Sequence, residues 1–216
     1  MTDSIIFDLD GTLWDSTEIV AKAWNEVLEK EPSINLHLIA DDLKKLFGRP
    51  LPVIASILFD KLPENEQLEL IDRCCHQEHI ALSKQCGILF PHLEDTLKIL
   101  SSKYKLFIVS NCEDGYIETF LKISGLASYF QDFECPGNSG LLKGDNNKLI
   151  IQRNQLSAPV YVGDTQGDAD AAAYAGIPFI FAKYGFGNVK DYKYFIDEFS
   201  QLPALLDTIP SINHFK

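Results

Sequence analysis

Ser4-Ile5-Ile6-Phe7-Asp8-Leu9-Asp10-Gly11 is the stretch on which the fold turns. A short apolar run halted by acids and a glycine has the form of a buried parallel strand ending at a functional edge. In an extended chain residues two apart face the same way, so the carboxylates of Asp8 and Asp10 converge while Leu9 points into the core. Carboxylates that close repel unless a cation lies between them or one keeps its proton. The same pair can also close a strand and open an Asx turn, and D-x-D alone leaves both readings standing. Gly11 then lets the backbone turn sharply without a Cβ.

Outward from this strand, four more apolar runs follow at residues 105–109, 129–134, 159–162 and 177–181. Between them the spacing predicts helices over 93–101, 114–123, 146–154 and 168–175, with Gly125 and Gly176 placed as C-terminal glycines. Strand alternating with helix predicts an α/β fold, a Rossmann-like parallel sheet with helices on both faces. Residues 15–84 break the alternation. Val20, Ala23, Trp24, Val27 and Leu28 share one helical stripe, and further helices are expected over 41–47, 52–59 and 66–83. The expected organisation is a core of residues 1–15 and 86–216 with a small all-helical cap domain, 16–85, inserted after the first strand. Tyr184-Gly185-Phe186-Gly187 is expected to form a flexible rim loop, and 191–199 a final packing segment.

The chain of 216 residues carries 19 Lys and Arg against 31 Asp and Glu, a formal charge of −12. That field repels phosphate backbones and anionic lipid, so neither nucleic acid nor membrane is expected as a partner. No apolar run approaches the roughly 20 residues that span a bilayer. Met1-Thr2-Asp3-Ser4 lacks the basic and apolar regions of a signal peptide. Cys74, Cys75, Cys86, Cys112 and Cys135 form no C-x-x-C pair and are expected as buried thiols of a cytoplasmic protein, monomeric or a weak homodimer. An anionic ligand in so acidic a chain needs a cation or a local positive site.

A second acidic group, Gly163-Asp164-Thr165-Gln166-Gly167-Asp168, closes the run Val160-Tyr161-Val162. Asp168 is placed to cap the alanine-rich helix that follows, with or without a further role. In an open α/β sheet the carboxyl ends of the strands share one rim, so Asp8, Asp10, Asp164 and Asp168 meet there, a donor set for a hard cation such as Mg²⁺. Ser110-Asn111 ends another strand and reads either as an anion site or as an N-cap. Lys143 is a solvated charge or the counter-charge for a bound phosphate. Arg49, in Gly48-Arg49-Pro50, is an exposed loop arginine or a reader of substrate. His76 and His79 lie three apart on a predicted helix, as a helix face or an incomplete metal site.

D-L-D-G-T-L-W-D-S (Asp8–Ser16), I-V-S-N (Ile108–Asn111), L-L-K-G-D (Leu141–Asp145) and V-G-D-T-Q-G-D-A (Val162–Ala169) together resemble the four motifs of the haloacid dehalogenase-like hydrolase superfamily. A helical cap after the first strand resembles its phosphoglycolate phosphatase-like and β-phosphoglucomutase-like branch. The resemblance covers nearly the whole chain. It implies Asp8 as a nucleophile forming an aspartyl-phosphate and Asp10 as general acid, then base. It also implies Mg²⁺ held by Asp8, the backbone carbonyl of Asp10, Asp164 and Asp168. Ser110 and Lys143 would bind the transferring phosphoryl group, with backbone N–H groups of Gly11 and Asn111 in support, and Thr12 would brace the loop. The expected activity is Mg²⁺-dependent hydrolysis of a small phosphorylated metabolite. A sugar-phosphate mutase is one alternative, although D-G-T-L stands where compared mutases more often have D-G-V. A catalytically silent phosphometabolite binder is another. Dehalogenation is disfavoured, because the dehalogenases lack an acid at the position of Asp10. Lys143-Gly144 departs from the Lys-Pro of many relatives.

Overall fold

The N-terminal apolar run forms strand β1 (Ser4–Phe7), buried throughout. The computed structural model describes residues 2–209; residue 1 and residues 210–216, the ends of the two expected core segments, lie outside the described residues. After β1 come β2 (Trp14–Asp15), α1 (Thr17–Leu28), α2 (Ala40–Lys44), α3 (Leu51–Leu58), α4 (Glu64–Leu82) and β3 (Ile88–Leu89). The chain continues through α5 (Leu93–Ser101), β4 (Lys105–Val109), α6 (Tyr116–Ser124), β5 (Asp132–Glu134), α7 (Pro136–Ser139) and α8 (Lys143–Arg153). It ends with β6 (Pro159–Gly163), α9 (Gln166–Ala175), β7 (Phe179–Ala182), β8 (Tyr194–Ile196) and α10 (Leu202–Leu206).

Six strands make one parallel sheet in the order β5-β4-β1-β6-β7-β8. Alternation along each strand serves two cores. Ile5, Phe7, Leu106, Ile108, Val160 and Val162 pack on the face covered by α5, α6 and α10, while Ile6, Phe107, Val109 and Tyr161 join Ile150 and Ala172 of α8 and α9 on the other. A sheet covered on both faces explains why its strands read as unbroken apolar runs. The chain runs outward from β1 to β5, then crosses back to β6, so β4, β1 and β6 end side by side where the direction of winding reverses. Such a switch point leaves a crevice at the carboxyl ends of the strands.

Helices α1 to α4 form the insert. Val20, Trp24 and Leu28 of α1 pack with Leu70, Ile71 and Cys74 of α4. Asn25 clamps the loop after α1, its amide donating to the Leu38 carbonyl (2.8 Å) and its oxygen accepting the Leu38 N–H (2.9 Å). The insert is entered and left through β2 and β3, a two-residue antiparallel pair not expected from sequence.

Three expectations need correction. Residues 191–199 are not only a packing segment: they contain the edge strand β8, which pairs with β7. The strand expected over 129–134 begins at Asp132, because residues 127–129 form a short 3₁₀ turn. Helix α8 starts at Lys143, three residues early, so the lysine is its first residue rather than a preceding one. Gly144, a weak helix former, disguises that start. An added Cβ there would meet the Tyr174 ring of α9, which accounts for the small residue beside Lys143.

Candidate active site

Asp8 follows β1, Ser110 follows β4 and Asp164 follows β6, so the switch point brings all three to one rim. Lys143 arrives from α8 and Asp168 from the first turn of α9. The Lys143 ammonium donates to Asp8 Oδ1 at 2.6 Å and to Asp168 Oδ1 at 2.5 Å, and all three side chains are buried. Carboxylate oxygens of Asp8, Asp164 and Asp168 lie within 4.8 Å of one another. Burial pushes the Asp8 carboxyl up to about 6, helped by the charge of Asp168 and opposed by Lys143. Burial, Asp168 and Asp8 push Asp164 well above the usual carboxylate range. Burial works against the Lys143 charge, but Asp168 and Asp8 outweigh it and raise its pKa.

Asp164 is held from two loops. Its Oδ2 accepts the N–H groups of Phe186 (2.7 Å) and Gly187 (3.2 Å), and Thr12 Oγ1 approaches Oδ1 at 3.4 Å. Tyr184 donates to the Thr12 carbonyl at 2.8 Å, tying the two loops together. A Cβ on Gly185 or on Gly11 would collide with the Asp164 carboxyl. Residues 184–187 are therefore a buttress for the acidic cluster, where a flexible loop was expected. Asp168 does not cap α9. Thr165 is the N-cap, its hydroxyl accepting the Asp168 N–H (3.2 Å), while Asp168 Oδ2 accepts the Thr165 N–H (2.9 Å). This capping box turns the other oxygen of Asp168 to Lys143.

The Asp10 carboxyl stands apart from the cluster. Its Oδ1 accepts from Ser16 Oγ at 2.7 Å and Tyr116 OH at 2.9 Å. Burial pushes it up to about 7, against the Ser16 bond and with the charge of Asp8. Tyr116 and Ser16 were not singled out in the sequence; the S of D-L-D-G-T-L-W-D-S was the available signal. Gly11, at φ 81°, makes the turn, but its N–H donates to the Trp14 carbonyl (2.9 Å), so it is not the free donor expected. Ser110 is buried, and the Asn111 amide donates to the Gly48 carbonyl of the insert at 2.8 Å. Neither caps α6, whose N-cap is Gly115. Arg49 is exposed and lines a narrow cleft with Asp8, Asp10 and Ser110. His76 and His79 border a separate surface depression, and among the described residues the three aspartates are the only grouping with metal-ligand spacing.

The donor set fits a hard divalent cation. Three buried carboxyls share a single ammonium, all the ligand atoms are oxygens, and the glycines at 11 and 185 keep side chains away from Asp164.

A family model described as haloacid dehalogenase-like hydrolase matches residues 5–182. A plasmid-encoded phosphoglycolate phosphatase of Cupriavidus necator is 25% identical over 217 residues, 94% of this chain and 92% of that protein. A phosphoglycolate phosphatase of Aquifex aeolicus is 28% identical over 187 residues, 84% and 85% of the two chains. Among solved structures, a haloacid dehalogenase-like family hydrolase from Streptococcus pneumoniae superposes with a TM-score of 0.80 at 23% identity, covering 95% of this chain and 98% of its own.

Proposed function

The chain belongs to the haloacid dehalogenase-like hydrolases, and we propose that it is a Mg²⁺-dependent phosphatase cleaving a small cytoplasmic phosphomonoester through an aspartyl-phosphate. The observation that carries this reading is the buried Lys143 ammonium bridging Asp8 and Asp168 beside Asp164 on one rim, with the Asp10 carboxyl held apart.

Asp8 is the nucleophile. Lys143 takes its Oδ1, and the other oxygen attacks phosphorus, forming the Asp8–phosphorus bond as the bond to the alcohol oxygen breaks. Asp10 gives its proton to the departing oxygen, then takes one from the water that attacks the phospho-aspartate. That second displacement releases inorganic phosphate and restores both carboxyls. Ser110, the Asn111 backbone and Lys143 hold phosphoryl oxygens, so catalysis is positioning and electrostatics. Asp8, Asp164, Asp168 and the Asp10 backbone carbonyl would hold Mg²⁺, which when bound shields the like charges of nucleophile and ester. Residues 16–85 serve as a cap that excludes water, and Arg49 faces the bound ester from it.

The test is inorganic phosphate release from phosphoglycolate, sugar phosphates, nucleoside monophosphates and a chromogenic aryl phosphate, with and without Mg²⁺. Release should require Mg²⁺ and fall to at most about a thousandth in Asp8→Asn, an amide too weak to attack. Activity in Asp8→Asn equal to the native chain would overturn the mechanism. Interconversion of phosphosugars without release would replace hydrolase by mutase.

A further inference from the structure

Leu70, Ile71, Cys74, Cys75, Glu78 and Leu82 form the buried stripe of α4. An acid at such a position is out of place unless it has work to do there. Glu78 is 7% exposed, and its Oε2 accepts the Trp24 Nε1–H at 2.6 Å. The Trp24 indole alone does not call for a carboxyl, since a neutral amide or carbonyl oxygen would accept its N–H as well. A carboxyl also supplies two oxygens where the indole needs one. The second, Oε1, has no hydrogen-bond donor among the described residues, and Glu78 lines the cleft that Asp8 and Asp10 also line.

That cleft faces the leaving-group side of the site, since Asp10 stands in it. Its walls carry the carboxyls of Asp8, Asp10, Glu78 and Glu113 against the single guanidinium of Arg49. Whenever Glu78 or Glu113 is ionised, a carboxylate on the departing alcohol adds a like charge to this wall. A hydroxyl both donates and accepts, so it satisfies Glu78 in either protonation state. Burial pushes the Glu78 carboxyl up to about 8, with Trp24 opposing and Asp10 and Glu113 adding, so both states matter near neutrality.

We propose that Glu78 reads the leaving group and that the scissile ester's alcohol carries a hydrogen-bond donor, a hydroxyl or an ammonium, in place of a carboxylate. The inference rests on the phosphatase reading above and narrows it. Phosphoglycolate, the ester in the names of the two relatives, is then a poor ligand of this site.

Three two-carbon esters isolate the group that meets Glu78: 2-hydroxyethyl phosphate, 2-aminoethyl phosphate and phosphoglycolate. Each is competed against a chromogenic aryl phosphate with Mg²⁺ present. The native chain should prefer the hydroxyethyl or aminoethyl ester over phosphoglycolate by at least about tenfold. In Glu78→Gln, whose oxygen keeps the Trp24 bond and whose amide faces the cleft, the gap should shrink below about threefold. The better of the two donor esters identifies the donor as hydroxyl or ammonium. Phosphoglycolate competing as well as both in the native chain, or a gap unchanged by Glu78→Gln, overturns the inference alone. Absence of aryl phosphate turnover overturns the phosphatase reading, and this inference with it. If the amide variant does not fold, the native gap decides.

Discussion

Asp10 and Glu78 are both taken out of water, and their partners give them different work. Asp10 accepts two hydroxyl donors, Ser16 and Tyr116, on one oxygen. That aims the other oxygen, so in the proposed mechanism Tyr116 would act on the reaction through Asp10. Tyr116→Phe should lower kcat about tenfold for alkyl esters, whose leaving oxygen needs a proton, and far less for an aryl phosphate, whose phenolate leaves unaided. Equal losses on both substrates would make Tyr116 merely structural. Glu78 has a consequence for stability. Its pKa is about 8 in the folded chain against an ordinary 4.5, so folding favours its protonated form. The associated stability is full below about pH 4.5 and is lost as pH rises through about 8. Trp24 of α1, Asp10 after β1, Glu113 after β4 and Tyr116 of α6 face it, and all remain in Glu78→Gln. Urea unfolding should therefore show the variant gaining on the native chain by up to about 4 kcal/mol between pH 5 and pH 9. A difference independent of pH would contradict this origin.

The loop after β7 shows how an element without conspicuous chemistry can govern an acidic cluster. Phe186 and Gly187 hold Asp164 by their N–H groups, and Gly185 packs against its carboxyl. Gly185→Ala drives a methyl into Asp164 and the Gly11 carbonyl, so the loop must withdraw. Calorimetric titration should then show Mg²⁺ affinity weakened by about 10–100-fold with the fold intact. Unchanged affinity would remove the buttress from the account. This loop was visible in sequence as a glycine-rich rim, but its task was not, because backbone N–H donors leave no mark in residue type. The central strands were legible, since burial on both faces makes continuous apolar runs such as Leu106 to Val109. Strand β8 was not: its three residues lie at the sheet edge, where Phe195 is exposed and the pattern is broken. Asp168 was placed correctly on the rim but not as the N3 partner of Thr165, because a Thr and an Asp three apart are equally good caps.

At the scale of the whole molecule, the contacts that close insert over core join residues far apart in the chain, as in the Asn111–Gly48 bond. They were illegible because each partner, taken alone, is an ordinary loop residue. Charge distribution is a further property of the whole. The chain carries −12 overall, which repels a dianionic ester at long range. The wide cleft between insert and core reverses the sign locally, with Lys44, Lys45 and Arg49 against Asp170 on its walls. Lys44 is held by Asp15 at 3.2 Å, while Lys45 is exposed on the rim beside Asp42. Lys45→Gln should lower kcat/KM for a dianionic ester by about two- to threefold at low ionic strength, because it removes a charge from the approach. Lys103→Gln changes the net charge equally but sits just before β4, at the opposite end of the sheet, and should have a smaller effect. The difference should vanish at about 0.5 M salt, where the Debye length falls to a few ångströms. Equal effects of the two variants would mean that net charge alone sets the approach. A difference that survives salt would instead place Lys45 in direct contact with the bound ester.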